Sequence, residues 1–182
     1  FRFYSNDLHQ AAEDRRALEE DLRDALSRGE MEIGYQPVVQ SNSNMVTGVE
    51  ALVRWNHPGR GMISPATFVP IAEEANMIWA LGEWVLRRAC EDAASWPGDM
   101  RVAVNVSPIQ FANEELPKIV ASALAATGLS PDRLELEITE SVFLGDSAET
   151  ARMFKALKGL GVRLALDDFG TGYSSLGYLQ SP

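Results

Sequence analysis

Apolar residues along the first quarter of the chain change from a helical spacing to an alternating one. Leu18, Leu22, Ala25 and Leu26 recur on one helical face among charged neighbours, and Gly29 stops the pattern. Residues 1–12 ahead of this helix read as a short aromatic and polar lead-in. Residues 31–39 then predict a strand, ended by the turn signal Ser41-Asn42-Ser43-Asn44, and residues 45–55 predict a second strand running into His57-Pro58-Gly59. The tight turn makes that first pair antiparallel.

The rest alternates helix and strand. Helices are predicted over 79–96, 116–126 and 146–160, the last opened by an Asp146/Glu149 capping box and stopped by Gly161. Strands are predicted over 101–106, 133–138 and 162–167. Such alternation implies an α/β fold with a mostly parallel sheet. At 182 residues and 46% hydrophobic content, the chain can bury one substantial core.

Within each strand the two faces differ in kind. Val49, Ala51 and Val53 oppose Glu50, Leu52 and Arg54, while Val102, Val104 and Val106 oppose Ala103, Asn105 and Ser107. Leu134, Leu136 and Ile138 oppose Glu135, Glu137 and Thr139; Val162, Leu164 and Leu166 oppose Arg163, Ala165 and Asp167. One face is uniformly apolar and suits packing under helices. The other brings an acid or amide toward the strand end, where a β/α barrel builds its active site. Independent edge charges are the plain alternative, but four successive strands offering Glu50, Asn105, Glu137 and Asp167 to one place disfavour it.

All-oxygen donors suit a hard cation, Mg²⁺ or Mn²⁺. His9, His57 and Cys90 have no zinc-site spacing, and Asp167 and Asp168 together could bridge two ions. Two ions would activate a water and stabilise the leaving oxygen of a phosphodiester. Gly170-Thr171-Gly172 lacks the lysine of a phosphate-binding loop, and Gly172-Tyr173-Ser174 lacks the spacing of a nucleophile elbow.

The net charge of −10 argues against a nucleic-acid polymer as partner. There is no apolar run long enough to span a membrane and no signal-peptide pattern, and the single cysteine fits a reducing, cytoplasmic setting. The parent protein remains free to carry a membrane anchor in other segments.

Glu50-Ala51-Leu52-Val53-Arg54-Trp55 resembles the signature of the EAL domain family. Tyr35-Gln36-Pro37, the block from Ser64 to Glu73, Asn105-Val106-Ser107, Glu137-Ile138-Thr139-Glu140 and the block from Asp167 to Leu176 resemble its other motifs, in the family's order. Residues 1–10 resemble the segment that follows a GGDEF (diguanylate cyclase-like) domain. This sets residues 1–12 as a linker from an upstream domain and 13–182 as the EAL domain. The resemblance implies a TIM-like barrel with an antiparallel first strand, two Mg²⁺ or Mn²⁺ ions, and hydrolysis of cyclic di-GMP to linear pGpG. Glu50, Asn105, Glu137, Asp167 and Asp168 are then the metal ligands and catalytic residues. Gln36, Leu52 and Arg54 contact the dinucleotide, and Glu140 and Thr171 support the loop 168–176. A homodimer is also implied. The family continues past the position of Pro182 with a lysine-bearing strand, a strand-end glutamate and a later glutamine. The barrel is therefore expected to be incomplete in this chain, a fragment of a longer product. The competing expectation is a receptor or dimeric signalling module that binds cyclic di-GMP without cutting it.

Overall fold

A computed structural model describes residues 3–39, 45–139, 142 and 147–167. The chain runs α1 (Phe3–Ala25), β1 (Met31–Val39), β2 (Val46–His57), β3 (Gly61–Ile63), α2 (Pro65–Glu74), α3 (Ile78–Ala94) and β4 (Arg101–Val106). It continues through α4 (Pro108–Phe111), α5 (Leu116–Thr127), a 3-10 turn (Pro131–Arg133), β5 (Leu134–Thr139), α6 (Ser147–Gly159) and β6 (Arg163–Asp167). Among the described residues the strands form one open six-stranded sheet, ordered β1-β2-β4-β5-β6, with the short β3 pairing β2. β1 and β2 are antiparallel, whereas β2, β4, β5 and β6 run parallel.

All five predicted strands and three predicted helices lie within two residues of their expected ends. The lead-in differs, because α1 starts at Phe3 and makes the segment before Leu18 part of one 23-residue helix. Tyr4, Leu8 and Ala11 are spaced in phase with Leu18 and Leu22, but the charged run Glu13-Asp14-Arg15-Arg16 interrupts the stripe and hides the continuity. β3, α2 and α4 were also missed. They are short and sit between stronger signals, and α2 contains an internal proline, Pro70. The Asp146 cap lies outside the described residues.

The two faces of the sheet separate as the alternation demands. Val102, Val104 and Val106 in β4 and Leu134, Leu136 and Ile138 in β5 are buried, as are Ala51 and Trp55 in β2. They pack with Leu81, Val85, Leu86 and Ala89 of α3 and with Val120 and Leu124 of α5. Each buried aliphatic side chain contributes about 1.5–3 kcal/mol relative to exposure. Trp55 is 0% exposed, stands edge-on to Phe68, and satisfies its indole N–H by donating to Glu30 Oε2 at 2.9 Å. Arg133 ties the entrance of β5 to two preceding elements, donating to the carbonyls of Met100 at 3.0 Å and Ala93 at 2.8 Å. The second adds to the bond that the Ala93 carbonyl, in the last turn of α3, accepts from the Trp96 N–H at 3.1 Å.

His57 is a brace for its turn. Its Nδ1 accepts the backbone N–H groups of Gly59 and Arg60, both at 3.1 Å, which leaves Nε2 to donate to Asp21 Oδ2 at 3.0 Å. This links the end of β2 back to α1.

Two features generate tests. Cys90 is fully buried in α3, and burial pushes its thiol up to about 11. At pH 8 its thiolate fraction is on the order of one in a thousand. Thiol reagents should therefore label the folded protein very slowly and the denatured protein rapidly; fast native labelling contradicts this core. Gly82 in α3 faces the buried Gln110, whose Nε2 would lie 1.9 Å from an added Cβ. Gln110 could retreat only by giving up its bond from the Ser107 N–H, so Gly82→Ala should cost about 1–3 kcal/mol in urea unfolding.

Candidate active site on the open face of the sheet

The face of the sheet turned away from the helices carries the predicted chemistry. Gln36 on β1 pairs in register with Glu50 on β2, and Gly34 pairs with Leu52. Gly34 lies beside Arg54, whose Nε would be in ordinary contact, 3.7 Å, with a Cβ there. Arg54 also donates to the carbonyl of Val53 at 3.2 Å. Glu50 itself lies in register with Ala103 on β4, one step below Asn105. Asn105 pairs with Glu137 on β5, and Thr139 pairs with Asp167 on β6.

The residues thus climb the face stepwise rather than forming one row. The step is bridged by Asn105, whose Nδ2 donates to Glu50 Oε1 at 2.7 Å. A hydrogen bond from a neutral amide sets the direction of the carboxylate that accepts it. Gln36, Glu50, Leu52, Arg54, Asn105 and Glu137 consequently share one exposed or half-exposed surface. For Asp167 only the backbone position is described, and Asp168, Glu140 and Thr171 lie outside the described residues. Among the described residues, no three acidic, histidine or cysteine side chains converge closely enough to hold an ion.

Below this group the same face carries a charged floor. Glu135 Oε2 lies 3.7 Å from Arg101 Nη1 and 3.5 Å from Arg163 Nε, and Arg101 Nε donates to the carbonyl of Thr47 at 3.3 Å. Two guanidinium groups around one carboxylate leave a net positive charge beneath the acids above.

The end of β4 is fastened to its surroundings. Ser107 caps α4: its Oγ accepts from Ile109 N at 3.3 Å, and its own N–H donates to Gln110 Oε1 at 3.2 Å. Its Oγ also donates to Glu73 Oε1 on α2 at 2.5 Å. This capping box was missed from the sequence, although Ser107-Pro108-Ile109-Gln110 has its spacing, and Glu73 has no local signal because its partner is 34 positions away.

Residues 19–181 match the EAL domain model. The chain belongs to the EAL domain family. A signaling protein of Caulobacter vibrioides is 52% identical over 181 residues, a match covering all of this chain and 22% of that protein. The bifunctional diguanylate cyclase/cyclic di-GMP phosphodiesterase MucR of Pseudomonas aeruginosa is 41% identical over 182 residues, covering 98% of this chain and 27% of MucR. The solved MucR phosphodiesterase in complex with c-di-GMP superposes with a TM-score of 0.84 at 42% identity, covering 87% of this chain and 66% of that one. The chain spans about a quarter of the length of these curated relatives.

The EAL fold is a TIM-like barrel, and the open sheet described here is that barrel in part. Its polar face is the barrel interior. A groove among the helices lies away from this face. The groove of about 390 Å³ is lined by α4, α5 and α6 residues such as Phe111, Pro117 and Met153, and by none of the predicted site residues. No described helix is long and apolar enough to cross a membrane.

The charged floor of the EAL sheet yields a stability test. Removing Glu135 leaves Arg101 and Arg163 facing each other, so Glu135→Ala should destabilise more than Arg163→Ala. The difference should be up to about 1 kcal/mol, because all three side chains are partly exposed. Chemical unfolding at low and high salt reads it; the gap should narrow as salt screens the repulsion.

Proposed function

We propose that this EAL domain hydrolyses cyclic di-GMP to linear pGpG, using Mg²⁺ or Mn²⁺, in bacterial second-messenger signalling. The observation that carries this is the Asn105–Glu50 contact on the polar face, with Glu137 in register beside Asn105. The printed description of MucR as a cyclic di-GMP phosphodiesterase, and its solved complex with c-di-GMP, support the substrate. A GGDEF domain in the same polypeptide is supported by MucR also being a diguanylate cyclase.

The donor set fits hard divalent cations, since Glu50, Asn105 and Glu137 offer only oxygen ligands and the amide nitrogen of Asn105 is already engaged with Glu50. In this reading Glu50, Asn105, Glu137, Asp167 and Asp168 hold two ions. Bound there, the ions would lower the pKa of a water and take up charge on the phosphate oxygens. Arg54 supplies a guanidinium fork to a phosphate, which limits the repulsion between a dianionic substrate and the acids around it. Gln36 and Leu52 flank Glu50 on the same face and serve as contacts for the dinucleotide. Glu140 and Thr171 support the loop 168–176. Water adds to one of the two phosphorus atoms, the P–O bond to the ribose 3′ oxygen breaks, and that oxygen leaves as a hydroxyl after taking up a proton, which gives linear pGpG.

Incubating the intact protein with cyclic di-GMP and Mn²⁺, then separating products, tests the reading. Chelator-sensitive pGpG is the expected result. Glu50→Ala should lower turnover by at least about a hundredfold while leaving the thermal midpoint near that of the parent. Near-normal rates in that variant would remove Glu50 from the site, and binding without product would make the protein a receptor.

A further inference from the structure

Asn105 is exposed, so packing does little to fix its rotamer, yet its amide meets Glu50 at 2.7 Å. Its direction therefore depends on how the end of β4 is held. On one side β4 is paired with β5 as far as Val106↔Ile138. On the other side its pairing with β2 stops at Ala51↔Val104. Beyond that point β2 turns to a different partner, pairing β3 from Trp55↔Ile63 onward. Asn105 thus sits on the first step where β2 and β4 no longer share a ladder. The Asn105–Glu50 bond crosses the place where the two strands part.

A side-chain hydrogen bond from α2 reaches the chain just past the end of β4, two residues beyond Asn105. Glu73, in the last turn of α2, accepts from Ser107 Oγ at 2.5 Å. α2 is the helix that follows β3 and packs Phe68, Ile71 and Ala72 into the core beside β2. Glu73 therefore connects the β2–β3 side of the gap to the β4 side by a route outside the backbone ladder. The opposite flank of Ser107 is held by Gln110, which is 6% exposed and pressed against Gly82 of α3.

We propose that Glu73 is a positioning residue for the active site: through Ser107 it holds the end of β4, on the side where β2 no longer pairs with it, so that Asn105 meets Glu50. The role of that meeting in catalysis rests on the phosphodiesterase reading, but the positioning itself does not. Glu73 touches neither Asn105 nor the reacting atoms; it acts through the strand end. A carbonyl oxygen at position 73 suffices to accept from the Ser107 hydroxyl, so charge is not required.

The test uses the intact protein labelled with ¹⁵N-asparagine and prepared without metal. The Asn105 side-chain amide signal is identified by its loss in Asn105→Asp, and Glu50→Ala supplies its position with the hydrogen bond broken. Glu73→Ala should shift the signal toward that broken position, and Glu73→Gln should return it. If Glu73→Ala folds poorly, Ser107→Ala removes the same bond from the other end and should give the same shift. In turnover, Glu73→Ala should be roughly ten- to a hundredfold slower with little change in KM, and Glu73→Gln should recover most of the rate. An unmoved amide signal in Glu73→Ala or Ser107→Ala overturns the proposal, as does a Glu73→Gln variant that shifts as far as Glu73→Ala. Parent protein that makes no pGpG overturns the phosphodiesterase reading instead, and the amide signal still decides the positioning.

Discussion

Burial of one face of the parallel sheet under α3 and α5 is the constraint on which the other features depend. Val102, Val104, Leu134, Leu136 and Ile138 are sealed beneath those helices. Because strand side chains alternate, sealing these positions turns Asn105, Glu135 and Glu137 to the other side. A slip of one residue in register would reverse the assignment. It would drive carboxylates into the core without partners, at a cost of several kcal/mol for each. The hydrophobic core and the candidate active site are therefore two consequences of one register, and a strand cannot keep one while losing the other.

Polar contacts then fix what burial leaves loose. The indole N–H of Trp55 donates to Glu30, Arg133 gathers carbonyls from Met100 and Ala93, and Tyr35 donates to Asp92 Oδ2 at 2.7 Å. Burial raises the Tyr35 hydroxyl well above its ordinary pKa, with the Asp92 carboxylate adding to it, so it stays a donor throughout the neutral range. The Glu30 and Arg133 bonds sit where β1 and β5 enter the sheet, where the ladder alone does not determine the chain path, while Tyr35 ties the middle of β1 to α3. Ser107 belongs to the same class, and it lies closest to the site. The polar face has its own layering, with acids and an amide above and the Arg101–Glu135–Arg163 floor below.

Much of the fold was legible because the strands alternate cleanly and the helices carry apolar faces at 3.6-residue spacing. β4 was predicted to the residue, and the antiparallel opening followed from a four-residue turn signal. What escaped was short or had its stripe interrupted. β3 has three residues and α4 has four, too few to show a period, and in the early turns of α1 a run of four charged residues, Glu13–Arg16, breaks the apolar stripe. At the site, the shared face of Glu50, Asn105 and Glu137 was legible, but the step between Glu50 and Asn105 was not. Alternation gives the side of a sheet and says nothing of the height at which one strand meets another.

The amino-acid sequence by itself determined which residues face the helices, which face the barrel interior, and through its ordered motifs the EAL family. These are local properties, set by side-chain polarity against a period of two or 3.6. Only the tertiary structure decided that Glu50 pairs with Ala103, that Asn105 reaches down to it, and that Glu73 on α2 fastens the strand end from 34 residues away. Those are relations between elements, and they arise from how whole strands and helices pack, which no stretch of neighbouring residues encodes.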